Sequence, residues 1–118
     1  IKQVVKNLAD SHMNSFIRFK LTLTENVPAI RPYEEQLWAA TPDGKDDGIS
    51  ASLLIIKGVH SRWSYLIDHL SEQDLNLLYF HPQHQRLYSL KEAIGLYHWH
   101  SRHHLAHIRQ ALQHKGIF

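Results

Sequence analysis

The stretch "WHSRHHLAHIRQ", residues 99–110, carries His100, His103, His104 and His107 within about two helical turns. Imidazole is the commonest side-chain ligand of divalent metals and titrates near neutrality, so these four residues are the first candidates for chemistry. Successive residues of a helix turn by about 100°; with His100 at zero, His104 falls at about 40°, His107 at about 340° and His103 at about 300°. The apolar residues of the segment, Ile94, Tyr97, Leu105, Ile108 and Leu112, fall between about 60° and 140°. His100 and His104 therefore border the core-facing stripe. His103 and His107 point further outward, either as solvated residues or as hydrogen-bonding partners behind a ligand.

Two imidazoles one turn apart can chelate one divalent ion, the geometry that HExxH sites use. This segment lacks the glutamate of that motif and has Arg102 nearby. The alternative for His100 and His104 is a core-edge role, bonded to backbone or tyrosine. A catalytic or structural zinc takes at least three protein ligands. His12 lies amid the apolar direction of Val5, Leu8, Phe16 and Phe19, which makes it the geometric candidate for a third, with a core histidine as the alternative. Asp10 projects away from that face and reads as solvated. His60 is a further inward candidate with no paired histidine, while His81 and His84 flank a proline turn and read as loop residues.

Helices must carry these groups. Val4, Val5, Leu8, Phe16, Phe19 and Leu23 recur at helical spacing and predict one helix from Lys2 to about Thr24. The next stretch, "NVPAIRPYEEQLWAATPDGKDDG", holds three prolines and two glycines and reads as a long surface loop with a helical turn at Glu34–Ala39. A loop of that length in a small domain commonly covers a site or an interface. A second apolar stripe, through Leu53, Ile56, Val59, Trp63, Ile67 and Leu70, predicts a helix over 49–70. Ser71–Asp74 and Ser89–Glu92 both have capping-box spacing, and "LLYFHPQHQRLYSL" between them predicts a short β-hairpin. The second box launches a final helix from Leu90 to about Gln113, stopped by Gly116.

The expectation is a single all-α domain over residues 1–118, an antiparallel bundle with a long loop and a β-hairpin. Such bundles usually have four helices and the abrupt helical opening suggests that the first is missing from the chain. Composition narrows the function classes. The chain has no cysteine, which excludes disulfides, zinc-thiolate sites and a cysteine nucleophile, and fits a reducing cytoplasm. Thirteen Lys and Arg against eleven Asp and Glu are spread without a basic stripe, which argues against nucleic acid as a partner. No window is apolar for the roughly 18–20 residues of a membrane span.

The strings "QVVKNLADSHMNSFIRFKLTLTE", "PAIRPYEEQLWA", "FHP" and "LYHWHSRHHLAHI" resemble the DinB-like superfamily of up-and-down four-helix bundles. The resemblance is strongest to its YfiT-type branch, which is described as metal-dependent hydrolases and, in some bacilli, as bacillithiol S-transferases. It runs from Ile1 to about Leu112 and implies a divalent metal, zinc or nickel, a small-molecule substrate, a low-molecular-weight thiol as co-substrate in the transferases, and a homodimer. It also implies three histidine ligands. Two map onto His100 and His104; the third belongs to a histidine doublet that reads Lys6-Asn7 here, with Asn7 at the ligand position. An amide oxygen suits hard cations and is a poor replacement for imidazole on zinc or nickel, and Lys6 adds a positive charge beside it. His12 points about 140° away from Asn7 on the same helix. Two functions follow: a metal-dependent hydrolase or thiol S-transferase, or a metal-free binding or stress-related module of the same fold.

Overall fold

The computed structural model describes residues 2–45 and 48–96; His100, His103, His104 and His107 lie outside the described residues. The elements run α1 (Lys2–Thr24), α2 (Glu35–Ala39), α3 (Pro42–Lys45), α4 (Ser50–Asp68), α5 (Glu72–Leu75), β1 (Leu78–His81) and β2 (Arg86–Ser89). A last helix follows over residues 90–96 of the described part.

Helix α1 forms because its apolar residues repeat at 3.6 and no proline or glycine interrupts it. Its apolar stripe packs against α4 around Trp63, 3% exposed, whose indole meets the Phe19 ring edge-on at 5.1 Å and lies 6.5 Å from Phe16. Ile30, Tyr79, Tyr88 and Leu90 complete this core, so the loop after α1, the hairpin and the start of the last helix all dock on the same centre.

Strands β1 and β2 pair antiparallel with Tyr79 opposite Tyr88, and the two rings stack at 5.7 Å on the buried face. The hairpin turn closes with Gln85 at φ 50°, the left-handed conformation that ends such four-residue turns. On its other edge, Phe80 donates its N–H to Pro28 O and accepts from Ile30 N, which joins the chain after α1 to the hairpin as a parallel bridge. Ser71 and Ser89 are both N-caps: each hydroxyl accepts from the backbone three residues on, and Asp74 and Glu92 bond back. Glu92 also takes a 2.7 Å bond from Arg86, so the hairpin and the start of the last helix share one carboxylate.

The segment read as a loop is more ordered than its composition suggests. Residues Pro42–Lys45 form a helical turn packed on the end of α2, so closely that a Cβ on Gly44 would collide with the Ala39 carbonyl. The Lys6 ammonium fastens this turn to α1 through the carbonyls of Asp43 (3.2 Å) and Gly44 (3.3 Å).

Candidate functional site

Helix α1 is covered on two sides. The side toward α4 holds His12, 3% exposed, edge-on to Trp63 at 6.2 Å and stacked over His60 at 6.5 Å. The other side carries Asn7, Ser11 and Arg18, which lie within about 40° of one another around the axis. All three are half-buried; Tyr33 of the loop lies near Ser11 and Arg18, and Tyr79 and His81 of the hairpin lie near Arg18. Asn7 and His12 therefore occupy different sides of α1, as their spacing predicts, and Asn7 shares its side with Ser11 and Arg18.

Electrostatics link those groups. The Ser11 side chain faces the Tyr33 phenol, while burial and then the charge of Glu35 push Tyr33 above its ordinary range. Asp10 is half-buried rather than solvated: burial, then the neighbouring Asp43 carboxylate, raises its carboxyl above the ordinary value, and Asn14 Nδ2 bonds to its backbone oxygen at 2.8 Å. Asn7 Oδ1 accepts from Gln3 Nε2 at 3.1 Å. A carbonyl oxygen has a second lone pair, so this bond leaves Asn7 one acceptor position. Lys6, 7% exposed, sits about 100° round the helix from Asn7, with its charge directed to the loop carbonyls.

The hairpin supplies a histidine that sequence reading misplaced. His81 is the last residue of β1 and only 9% exposed, because strand alternation puts it on the same inward face as Tyr79. Its ring stacks on His84 at 3.8 Å, its Nδ1 accepts the His84 N–H, and His84 Nδ1 bonds the Tyr88 hydroxyl at 2.8 Å. The alternation of Tyr79 and His81 against Tyr88 was the available signal. His60 lies on an exposed position of α4 with its ring over His12. Among the described residues no three His, Cys, Asp or Glu side chains converge as a metal site, and no helix is long and apolar enough to cross a membrane.

Burial, then the charges of His84 and Arg18, holds the His81 imidazole below its ordinary 6.5. Between its folded pKa and 6.5 the unfolded chain binds a proton that the folded protein resists, so stability rises with pH in that window. The contribution is complete above 6.5 and is lost as pH falls through the folded value. His81→Gln is expected to lessen the fall in melting temperature between about pH 6.5 and pH 5. Thermal melts of both proteins across that range check this, and parallel curves would assign the acid sensitivity to other groups.

The chain matches the DinB superfamily over residues 1–108. It is 47% identical over 116 residues to "Putative metal-dependent hydrolase YfiT" of Bacillus subtilis, covering 98% of this chain and 65% of that protein. A Bacillus pumilus protein named "Putative metal-dependent hydrolase" is 44% identical over 113 residues, covering 96% of this chain and 64% of its own length. The solved structure of YfiT from Bacillus subtilis, described as "a probable metal-dependent hydrolase with an unusual four-helix bundle topology", superposes with a TM-score of 0.90 over 98% of this chain and 66% of that one. The chain thus spans just under two thirds of the length of its curated relatives. On this match and on the helical architecture with its small hairpin, the chain belongs to the DinB superfamily and has its four-helix-bundle fold.

Proposed function

We propose that this chain is a metal-dependent hydrolase acting on a small molecule, with zinc or nickel held by His100, His104 and, as a weak third donor, the amide oxygen of Asn7. The observation that carries the reading is the place of Asn7: half-buried, on the polar side of α1 that also carries Ser11 and Arg18, with one lone pair uncommitted among the described residues. His12 is the other candidate third ligand, and its setting against Trp63 and His60 on the α4 side favours Asn7 over it. The charge of Lys6, an objection to a dication on sequence grounds, is spent on two loop carbonyls.

A bound dication would lower the pKa of a water, or of a thiol if the chemistry is S-transfer. The remaining work falls to this chain's own side chains. Burial, then the Asp43 carboxylate, raises the Asp10 carboxyl above its ordinary value, which makes Asp10 the candidate to exchange a proton with the substrate from the edge of this face. Tyr33 stays a neutral donor because burial disfavours its phenolate. The turn Pro42–Lys45, fastened by Lys6, holds Asp43 beside Asp10 at the edge of that side.

Ester and amide hydrolysis by the chain should vanish on chelation, return with added zinc or nickel, and fail to return in His104→Ala. Hydrolysis indifferent to chelator would overturn the proposal. A second reading, a metal-free binding module, is favoured by the amide at the third ligand position; it predicts no metal response from any of these proteins.

A further inference from the structure

Among the described residues, Arg18 is a charge on the polar face of α1 that no ion pair uses. Its Nε is sealed from solvent without a hydrogen-bond partner among the described residues. The groups that act on its charge are the phenols of Tyr79 and Tyr33, and no described carboxylate balances it. His81, on the same inward hairpin face as Tyr79, feels the Arg18 charge as well. The half-buried guanidinium remains protonated, and its sealed Nε has lost water without gaining a protein acceptor, a cost that an arriving acceptor would relieve. Tyr33, Tyr79 and His81 surround it with neutral groups that can donate or accept a hydrogen bond. None of them supplies a negative charge while the phenols stay protonated, and burial raises both phenols.

We infer that Arg18, framed by Tyr33, Tyr79 and His81, is the binding site for an oxyanion group of the substrate, a carboxylate or a phosphate. The planar fork of arginine matches either group with two parallel hydrogen bonds. The site lies on the same face as Asn7, eleven residues away, or about 16 Å of helix rise, and the arginine side chain leans back toward the helix start and shortens that gap. The substrate would therefore be a small, elongated molecule, anionic at the end away from the bond that reacts. This placement of the two ends rests on the hydrolase proposal above; the oxyanion site itself does not.

The test separates the two. Inorganic phosphate and succinate are titrated into the full chain with chelator present, followed by calorimetry and thermal shift, against sodium chloride at equal ionic strength. Saturable binding of either probe is expected, the stronger one naming the group. Arg18→Gln should weaken it about 10- to 100-fold, and Arg18→Lys, which keeps the charge and loses the fork, should fall between. Circular dichroism and melting curves of both variants show that they are folded. No saturable binding to the parent chain, or equal binding by Arg18→Gln, overturns the oxyanion site. Because metal is absent throughout, neither result depends on whether the chain is a hydrolase. With metal restored, an ester bearing a free carboxylate should show a raised KM in Arg18→Gln while its neutral analogue does not; equal effects on both esters would contradict the site.

Discussion

Replacing Trp63 with alanine is expected to cost about 3–5 kcal/mol of folding stability. Trp63 is the buried contact through which α4 meets α1, 3% exposed and ringed by Phe16, Phe19 and His12 at 6.5, 5.1 and 6.2 Å. Truncation removes the indole area and leaves a cavity that those rings cannot fill without moving backbone. The edge-on geometry with Phe19 adds about 0.5–1.5 kcal/mol beyond area burial. Tyr65, exposed two residues on, provides the control: Tyr65→Ala should stay within about 0.5 kcal/mol. Urea unfolding of the three proteins measures both effects. A Trp63→Ala loss below about 1 kcal/mol would mean that the helices do not meet as described.

Asn7→His carries the largest expected effect on chemistry, a gain of about 100-fold in affinity for zinc or nickel. Imidazole nitrogen binds these borderline metals far better than a neutral amide oxygen, and about 3 kcal/mol for the exchange corresponds to two decades. The position is already half-buried, and the side chain lost makes a single bond to Gln3, so the replacement removes little structure. Competition titration against a chelator of known affinity reads the change. In the same assay His12→Ala should leave affinity unchanged, because His12 packs on Trp63 and His60. If Asn7→His gains nothing while His12→Ala loses binding, the metal lies on the α4 side instead.

Where the physics is local, sequence reading anticipated the structure closely. The uninterrupted 3.6-residue stripe predicts α1 over Lys2 to about Thr24, and the helix runs Lys2–Thr24. Both capping boxes form, since their bonds span three residues and need nothing from elsewhere. Helix α3 is hidden because Pro42, Asp43 and Gly44 are turn-forming residues, and the helical turn they make is fastened by a distant partner, the Lys6 ammonium on α1. Asp10 looked solvated for a similar reason. A helical wheel finds the direction of the apolar stripe, but it does not show that a loop from elsewhere in the chain covers a second side. The polar face itself was within reach, because Asn7, Ser11 and Arg18 are four and seven residues apart and so repeat along one side of a helix. His81 follows from strand alternation once β1 is carried to the proline, where it pairs with Arg86 of β2 and shares the inward face of Tyr79.

The metal content of the purified chain tests the central claim most directly. Elemental analysis of protein prepared without chelators should find one zinc or nickel per chain, absent from His100→Ala and His104→Ala, with added metal raising the melting temperature of the parent alone. A parent chain with no metal, and no rise in melting temperature on adding zinc or nickel, would contradict the account.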